Sequence, residues 1–567
     1  MLIVDFSYMG KINPIFLEQF ESLSNKLRKP FTDMISDISI KMGDNIDWWM
    51  SGPPSRNTNA SPLFHYYCVI HMVEEIKQKE IEISEILVDS IALYNIIKKS
   101  LHKSNKKIKV RYKTIALVHK LFFFFFIFYL SLEEILKFIL KKKYSYKTQY
   151  LDKSLLLQEL TLVDIWITKE FISSDRYYGL FWDNLKDEQK SKLFFVPTFV
   201  NIPIIKYSAV FKELHSSTKN YIIKENYLKL KDMVYALGHF FRVKKIKINP
   251  INVLGFNLVP IIKEELRSYK GYRNSINGIL NYRFSRRLAE KRIKLKLIID
   301  WFENQIIDKG WNRGFNEHYP DTKTIGYMGF SLPMQYLCVF PTKVENQHKL
   351  LPSVIKVIGK KFINTVKEFD SELKVETAPA FRFQHLWQEK KMKPDAKYKT
   401  ILIALTNDLN NSIVILKNIR DFLLNNDSTE YKYWIKSHPI LKFEEIKKVW
   451  DLPWPNKFVI LNKNIEELIP KCDILVTGMS SIALEAISLA KPLIIINNHG
   501  LTFNTIPDGI PDILWKSCTN YKDTESAIKY FLNIDKNTKK NHIKLAERIK
   551  NEYFVPVTEK TIKQFIN

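Results

Sequence analysis

The sequence predicts an α/β protein with two doubly wound domains preceded by an N-terminal α/β extension. The chain has 567 residues, and because one hydrophobic core stops growing at ~250–300 residues, we expect more than one domain. Hydrophobic residues make up 46% and charged residues 26% of the chain, which is ordinary for globular proteins. From about residue 226 onwards, short apolar runs alternate with helix-like segments. That alternation is typical of parallel sheets covered by helices on both faces.

The apolar runs divide the chain into four segments. Residues 1–225 form the N-terminal region, in which residues 47–68 (DWWMSGPPSRNTNASPLFHYYC) are predicted to be an aromatic-rich loop. Residues 226–390 form the first doubly wound domain, with predicted strands at 294–301, 322–328 and 353–358. Residues 398–535 form the second, with predicted strands at 400–405, 433–435, 457–461, 473–476 and 492–496. A helix within residues 536–567 could cross back to the earlier domain.

The chain carries an excess of basic residues. Lys and Arg number 87 against 60 Asp and Glu, a formal net charge of +27, which suits anionic partners. A nucleic-acid-binding protein is disfavoured, because the basic residues are spread along the chain and no zinc-finger or RRM-like signature is present. No two of the four cysteines lie at CxxC spacing, so neither a zinc site nor a redox pair is predicted. The first residues lack a signal-peptide pattern, so we expect a cytoplasmic protein.

One apolar run needs a separate interpretation. Residues 121–132 read LFFFFFIFYLSL, with Lys120 before them and Lys141, Lys142 and Lys143 after them. Because a spanning helix needs ~20 apolar residues, this run is too short to cross a membrane. Two interpretations stay open. Residues 119–143 lie on the cytoplasmic face of the inner membrane, as the basic flanks favour, or they form a buried core helix.

Polar side chains follow three of the strands predicted in the second doubly wound domain. In an open parallel sheet, ligands bind beyond the carboxyl ends of the strands, so we expect these side chains to line one ligand site. The three groups are Thr406-Asn407-Asp408, Lys436-Ser437-His438-Pro439 and Thr477-Gly478-Met479-Ser480-Ser481.

The third group fits an anion. Gly478 lets the backbone approach a ligand closely, and Ser480 and Ser481 add hydroxyl donors. The start of the next helix adds unpaired N–H groups that favour negative charge. An ordinary serine N-cap is the alternative. Glu485, about one turn into that helix, could reach a ribose hydroxyl or be a solvated carboxylate.

The second group makes a phosphate ligand the favoured interpretation. Lys436 supplies a point charge, and His438 supplies a hydrogen-bond donor or proton carrier. Pro439 restricts the turn directly after His438. A Lys-x-His-Pro group and a Gly-x-Ser-Ser group in one α/β domain are harder to obtain by accident than either alone.

Residues 399–531 resemble the donor-binding domain of GT-B glycosyltransferases that carry an HP motif and a later Ser-Ser motif. These families include bacterial sialyltransferases and polysialyltransferases, Kdo transferases of capsule assembly, and CDP-glycerol polymerases. His438 and Pro439 match the HP motif, and Ser480 and Ser481 match the Ser-Ser motif. The resemblance implies a GT-B-like fold of two Rossmann-like domains, with the motifs holding the phosphate of CMP or CDP. The chain as a whole, with WWMSGPPSRN near its start and ENQIIDKGW at residues 303–311, resembles predicted surface-carbohydrate biosynthesis proteins.

Such a transferase needs a carboxylate to take the proton from the acceptor hydroxyl. The sialyltransferases carry it in an Asp/Glu-x-Gly pattern, which Asp308-Lys309-Gly310 fits. Glu303 and Asp300, at or just past the end of a predicted strand, are the other candidates. We favour Glu303 and expect Asp300 to pack beneath the site.

Three basic residues complete the predicted site. Arg313, Lys323 and Arg382 could steady an anionic acceptor, or they could be solvated surface charges. No DxD motif, the usual metal signature of the other large transferase fold, is present, so neither a metal nor a cofactor is expected. Basic side chains and helix dipoles would offset the charge of the leaving phosphate instead.

The predicted function is transfer of a sugar in the synthesis of bacterial surface polysaccharide, of the capsule or LPS O-chain type. The donor would be CMP-activated, with a Kdo-like or nonulosonic acid-like sugar, and the acceptor a glycan or lipid-linked glycan. The alternatives are a CDP-glycerol-type polymer transferase, a UDP-GlcNAc 2-epimerase-like enzyme, and a non-catalytic scaffold of surface-polymer assembly. Cytidine-nucleotide binding would favour the first two enzymes, UDP binding the epimerase, and no binding the scaffold.

Overall fold

A computed structural model of the chain describes residues 2–8, 12, 14–78, 83–103, 108–112, 115–144, 158–168, 177–200, 202–269, 271–388, 398–426, 430–478, 480–497 and 506–566. Side chains at residues 14, 103, 115–124 and 141–144 lie outside this description. The described elements form three parallel sheets and one short antiparallel pair.

The N-terminal unit has a three-stranded parallel sheet in the order β1-β2-β3. Its strands and helices are β1 (Leu2–Asp5), α1 (Pro14–Met42), α2 (Ile46–Trp49), α3 (Gly52–Ser55), α4 (Leu63–Gln78), β2 (Ile83–Val88), α5 (Ile91–Lys103), β3 (Lys109–Tyr112) and α6 (Ile115–Tyr144). Buried side chains recur every three or four residues along α1, at Phe16, Phe20, Leu23, Leu27 and Phe31, so one face of this helix packs on the core. Residues 47–68, predicted to be one loop, instead contain α3 and parts of α2 and α4.

The second unit is a six-stranded parallel sheet in the order β11-β10-β9-β8-β4-β5. The strands are β4 (Leu160–Ile167), β5 (Leu193–Phe199), β6 (Asn252–Val253), β7 (Phe256–Asn257), β8 (Leu295–Trp301), β9 (Lys323–Met328), β10 (Val354–Val357) and β11 (Val375–Thr377), of which β6 and β7 form the antiparallel pair. The helices are α7 (Asp187–Lys192), α8 (Tyr207–Ser216), α9 (Leu230–Leu237), α10 (His239–Val243), α11 (Val259–Leu266), α12 (Tyr272–Glu290), α13 (Ile306–His318), α14 (Lys343–Gln347) and α15 (Lys361–Val366). Among the 3₁₀ segments are Lys224–Asn226 and Phe381–Trp387.

The second unit begins upstream of the boundary predicted at residues 225/226. Strands β4 and β5 lie before that point, yet β4 pairs with β8 in the same sheet. Two residues that are unusual within strands obscured these elements in the sequence, the charged Asp164 in β4 and Pro197 in β5. Proline is tolerated in β5 because that strand lies at the sheet edge. The first doubly wound unit therefore starts at about residue 160.

The third unit is a second six-stranded parallel sheet, in the order β14-β13-β12-β15-β16-β17. Its strands are β12 (Lys399–Ala404), β13 (Tyr431–Lys436), β14 (Phe458–Ile460), β15 (Ile474–Thr477), β16 (Leu493–Ile496) and β17 (Trp515–Cys518). Its helices are α16 (Leu409–Asn425), α17 (Phe443–Val449), α18 (Ile465–Leu468), α19 (Ile482–Ser488) and α20 (Tyr521–Leu532). The five predicted strands are present, and the edge strand β17 is a sixth, whose sequence WKSC lacks an apolar run.

The strand orders establish the predicted fold class. Numbered along the chain, the third unit has the order 3-2-1-4-5-6 and the second unit the order 2-1-3-4-5-6, and both are doubly wound. One hydrophobic core is shared between the two sheets, because Leu402 and Leu475 of the third unit belong to the same buried cluster as Ile299 and Tyr327 of the second. The chain is thus an α/β protein with two Rossmann-like domains.

The last helices return to the second unit. They are α21 (Lys536–Tyr553) and α22 (Glu559–Ile566). The Val555 N–H donates to the Ile358 carbonyl at 2.7 Å, and the Ala380 N–H donates to the Val555 carbonyl at 2.9 Å. Phe565 is fully buried against the rings of Tyr327 and Phe381. Residues 553–566 therefore complete the core of the second unit.

Candidate functional site

Three strands of the third unit end side by side. Ala404, the last residue of β12, pairs with Lys436 at the end of β13 and with Thr477 at the end of β15. The Thr477 hydroxyl also donates to the Ala404 carbonyl at 2.8 Å. The three polar groups predicted from the sequence therefore leave one carboxyl edge, at the point where the strand order reverses and ligands of doubly wound sheets bind.

Lys436 and His438 leave β13 on this edge. Lys436 is half-buried, and this burial lowers the pKa of its ammonium group. No ion pair among the described residues involves Lys436. The Ile440 N–H donates to His438 Nδ1 at 3.2 Å, so the proton of a neutral imidazole is on Nε2. Pro439 follows and is exposed.

Position 478 has room only for glycine, because the Asn411 side chain lies close to its backbone. A Cβ atom at this position would collide with the side-chain amide of Asn411, which extends from the first turn of α16. Asn411 Oδ1 is buried and accepts no hydrogen bond from the described residues. Any larger residue at position 478 would require the Asn411 side chain to shift.

Ser480 and Ser481 precede α19 without capping it. Ser481 occupies the N-cap position, but its side chain accepts no hydrogen bond from the helix. Both serines are half-buried, and neither hydroxyl is hydrogen-bonded to another of the described residues. The ordinary N-cap that the sequence left open is therefore not formed. α19 is a short helix of seven residues. The hydrogen-bond donors that a ligand could use at its start are the two serine hydroxyls.

Thr406 and Asn407 differ in exposure at this edge. Thr406 is buried, and its hydroxyl donates to the Asp408 carbonyl at 3.2 Å, so it holds the turn after β12. Asp408 caps α16 by accepting the Asn411 N–H at 2.7 Å. Asn407 is exposed at the edge itself. Of this group, Asn407 is the residue that a ligand could contact.

Glu485 faces a histidine. Its Oε2 lies 2.9 Å from Nε2 of His385 in the 3₁₀ segment Phe381–Trp387, within ion-pair distance but outside hydrogen-bond geometry. His385 Nδ1 is 3.8 Å from Glu466. This histidine was not predicted from the sequence. It joins the segment that follows the second sheet to the helix that follows Ser480 and Ser481.

Glu303 is the accessible carboxylate at the end of the second sheet. It follows β8 and is half-buried. Its two oxygens accept hydrogen bonds from Trp301 Nε1 at 2.9 Å, from Gln305 Nε2 at 2.7 Å and from the Tyr336 hydroxyl at 3.3 Å. Asn304, directly after it, has a left-handed backbone with φ of 54°, a strained conformation often found at functional sites. The carboxylate is thus held in a defined orientation.

Asp308 and Asp300 are buried instead. Asp308 Oδ2 accepts the N–H groups of Glu303 and Gln305 at 3.0 and 2.9 Å, which caps the start of α13. Asp300 Oδ2 accepts Asn312 Nδ2 at 2.7 Å. Burial, and for Asp300 also the charge of Asp308, raises the pKa of both carboxyls well above the ordinary value. Their geometry fits structural roles beneath Glu303.

This burial makes a pH-dependent prediction for Asp300→Asn. A carboxyl whose pKa is raised on folding stabilises the protein below its unfolded pKa of about 3.9, and this contribution is lost as pH rises towards the folded pKa. We therefore expect the melting temperature of the wild type to fall more steeply from pH 5 to pH 8 than that of Asp300→Asn, measured by calorimetry. The exposed substitution Asp321→Asn is the control. An equal loss of stability in Asp300→Asn at every pH would contradict the prediction.

The three predicted acceptor-binding residues are separated in the structure. Arg313 donates to Asp44 at 2.9 Å and lies 3.4 Å from Glu317, so it links α13 to the N-terminal unit. Lys323 is the first residue of β9, at the amino edge of the sheet and opposite to Glu303. Arg382 lies over the ring of Trp301, 5.9 Å from its centre. Of the three, Arg382 is therefore the one beside the Glu303 group.

A buried network of hydrogen bonds and ion pairs, which was not predicted from the sequence, contacts Gln305, one of the residues that orient Glu303. Asn57 Nδ2 donates to Gln305 Oε1 at 3.1 Å. Next to it, Arg56 and Lys309 lie 2.8 and 2.7 Å from the two oxygens of Glu345. The available signal was that Arg56 and Asn57 belong to the aromatic-rich segment of residues 47–68. Its partners are distant in sequence and could not be assigned.

No group of three His, Cys, Asp or Glu side chains suited to a metal ion occurs among the described residues. Within the same part of the chain, no helix is long and apolar enough to span a membrane.

The two sheets and the side chains at their ends define a GT-B-like α/β protein. It has a polar edge on one sheet and an oriented carboxylate at the end of the other.

Comparison with known proteins adds distant fold neighbours. No family model and no curated protein sequence matches the chain. Among solved structures, it is similar to S. aureus MnaA with UDP, at 12% identity and a TM-score of 0.40, covering 72% of this chain and 95% of that one. It is similar to a Burkholderia multivorans α,α-trehalose 6-phosphate synthase, at 8% identity and a TM-score of 0.41, with coverage of 72% and 95%. It is also similar to Acinetobacter baumannii MurG, at 9% identity and a TM-score of 0.38, with coverage of 72% and 99%. Values this low assign no function.

Proposed function

We propose that this chain is a glycosyltransferase that takes a sugar from a cytidine-activated donor and adds it to a surface glycan. The observation that carries the proposal is the carboxyl edge of the third unit. There Lys436, Ser480 and Ser481 present a cation and two hydroxyls with no partner among the described residues, beside the imidazole of His438. Donors left without a protein partner at a ligand-binding edge favour binding of an anion.

The donor phosphate would be bound at this edge. Lys436 would supply a point charge to a phosphate oxygen, and His438 would donate from Nε2, since Nδ1 already accepts the Ile440 N–H. These contacts would strengthen as the leaving phosphate gains negative charge, which is the electrostatic stabilisation that speeds group transfer. The part of the proposal that names CMP, with a Kdo-like or nonulosonic acid-like sugar, rests on the HP and Ser-Ser motifs.

Glu303 would act on the acceptor. A half-buried carboxylate at the end of β8 can take the proton from an acceptor hydroxyl while the new bond to the sugar forms. Arg382, beside Trp301, would contact an anionic acceptor. The proposed acceptor is a glycan or lipid-linked glycan of a bacterial surface polysaccharide, and the proposed reaction needs no metal ion.

Calorimetric titration of the full chain with CMP, CDP, UDP and GDP, with and without EDTA, tests the proposal. We expect CMP or CDP to bind best, with EDTA having no effect. We expect His438→Ala to weaken that binding by about tenfold to a hundredfold, since hydrogen bonds to charged groups are worth ~1.5–3 kcal/mol. The exposed substitution His102→Ala is the matched control and should bind as the wild type does.

Each other outcome has a distinct meaning. Preference for CDP over CMP would favour a CDP-glycerol-type polymer transferase with the same motifs. Preference for UDP or GDP would overturn the cytidine assignment and favour the epimerase-like alternative for UDP. If no nucleotide bound at millimolar concentration, the transferase proposal would fail and the scaffold alternative would replace it.

A further inference from the structure

Helix α6 buries a cluster of charged side chains, together with Leu130 and Leu140, and exposes a row of large apolar side chains. Within the part whose side chains are described, residues 125–140, large apolar side chains are exposed every three or four positions. We call this set the α6 face: Phe125, Phe128, Tyr129, Leu132, Ile135 and Ile139. Phe125 and Phe128 are 73% and 63% exposed. Soluble surface helices have the reverse arrangement, with the apolar stripe facing the core.

Charged contacts hold the inner side of α6. Lys137 Nζ lies 3.3 and 2.6 Å from the carboxylates of Glu133 and Glu134. Glu133 also accepts the Tyr207 hydroxyl at 2.7 Å and lies 2.7 Å from Arg273. These four charged side chains are buried or nearly so, and burying charges costs free energy unless they are well paired. Because the helix is fixed by these pairs, the exposure of its apolar face follows from its attachment.

The same attachment keeps the carboxylates of α6 away from its outer side. Glu133 and Glu134 are the only carboxylates within the helix sequence, and both are buried. The neighbouring helix α8 packs on α6. Lys206, directly before α8, and Lys212 within it are exposed. The α6 face therefore adjoins a helix with exposed lysines and presents no carboxylate of its own among the described side chains.

We propose that the α6 face docks on the surface of an anionic lipid bilayer. Phe, Leu and Ile side chains insert at the boundary of headgroups and acyl chains, and Lys206 and Lys212 contact anionic headgroups, as in amphipathic helices that lie in the interface. A second copy of this chain fits less well, because pairing two α6 faces would bring the exposed lysines of the two α8 helices together.

The helix that carries the docking face packs against the unit that contains Glu303. α6 packs on α8 and on the 3₁₀ segment Lys224–Asn226. Lys224 Nζ donates to Thr198 in β5 at 2.9 Å, within the sheet whose strand β8 leads to Glu303. Docking would thus attach the acceptor side of the molecule to the bilayer. That the acceptor is linked to the membrane rests on the proposed function, but the lipid affinity of the α6 face does not.

Co-sedimentation of the full chain with vesicles tests the proposal. The vesicles are phosphatidylcholine alone or phosphatidylcholine with phosphatidylglycerol. We expect binding to the anionic vesicles that weakens with added salt, and a partition coefficient reduced at least about tenfold in Phe128→Asp/Leu132→Asp. Leu424→Asp/Ile543→Asp, which also replaces two exposed apolar residues, is the matched control and should bind as the wild type does. Nucleotide titration of each variant separates this test from the donor site.

A second measurement covers the case in which the double variant fails to fold. Phe128→Cys is labelled with an environment-sensitive fluorophore, since the four native cysteines are buried. A blue shift on adding anionic vesicles is expected. Wild-type protein that stays in the supernatant, or a double variant that binds as well as the wild type, would overturn the proposal. A shift that depends on protein concentration without vesicles would also overturn it and assign the face to a second copy.

Discussion

Replacing Glu303 by glutamine is expected to abolish sugar transfer while leaving nucleotide binding intact. The amide keeps the shape of the side chain, and its one oxygen can still accept the hydrogen bond from Trp301 Nε1, but it cannot take a proton. Losing a general base typically costs about 10²–10⁴-fold in rate. Transfer is measured as acceptor-dependent release of nucleotide from the donor, and nucleotide affinity by titration, because Glu303 and Lys436 are on different sheets.

Two further variants make this prediction specific. Glu372→Gln, an exposed substitution in the same unit, should leave the rate unchanged. Asp300→Asn should retain most activity, because Asp300 is buried and held by Asn312. Glu303 would be ruled out as the base if Glu303→Gln turned over at the wild-type rate, and Asp300 would take its place if Asp300→Asn alone lost activity.

Glu345→Gln is expected to lower the free energy of unfolding by about 3–5 kcal/mol, because it removes the partner of two buried cations. Arg56, Lys309 and Glu345 are each almost fully buried. Burial alone would raise the pKa of Glu345, but the charges of Arg56 and Lys309 outweigh it and lower this pKa to about 2. Equilibrium denaturation in urea at pH 7 measures the change.

The pH dependence gives an internal check on Glu345→Gln. A carboxyl whose pKa is lowered on folding stabilises the protein above its unfolded pKa of about 4.3, and this contribution is lost as pH falls towards the folded pKa. The stability difference between wild type and variant should therefore shrink between about pH 5 and pH 2. Glu188→Gln, which removes an exposed partner of Lys192, should change nothing measurable. Equal stability of Glu345→Gln and wild type at pH 7 would refute the prediction.

Strands buried on both faces were the predictable part of the fold. TILIAL, DILV and PLIII are continuous apolar runs because helices cover both sides of a parallel sheet, and β12, β15 and β16 are where these runs predict them. Strands β4 and β5 were not recognised, because Asp164 and Pro197 interrupt their patterns. The partners that explain Asp164, such as Thr198 and Lys224, become visible only in three dimensions.

The candidate site was likewise predictable only in part from the sequence. The groups after β12, β13 and β15 could be placed together because parallel strands have their carboxyl ends at one edge. The donors that orient Glu303 could not be identified, since Tyr336 is more than thirty residues away along the chain. Asn57 and His385 were missed for the same reason, because each contact is long-range in sequence.

The return of residues 553–566 to the second unit has a consequence for biosynthesis. The strands of the third unit and its last helix α20 lie between residues 399 and 532, so this unit can fold once that segment has left the ribosome. The second unit must wait, because Val555 and Phe565 supply its last hydrogen bonds and core side chain. Until then the aromatic core around Tyr327 lacks a cover, and the nascent chain holds a finished third unit next to an unfinished second one.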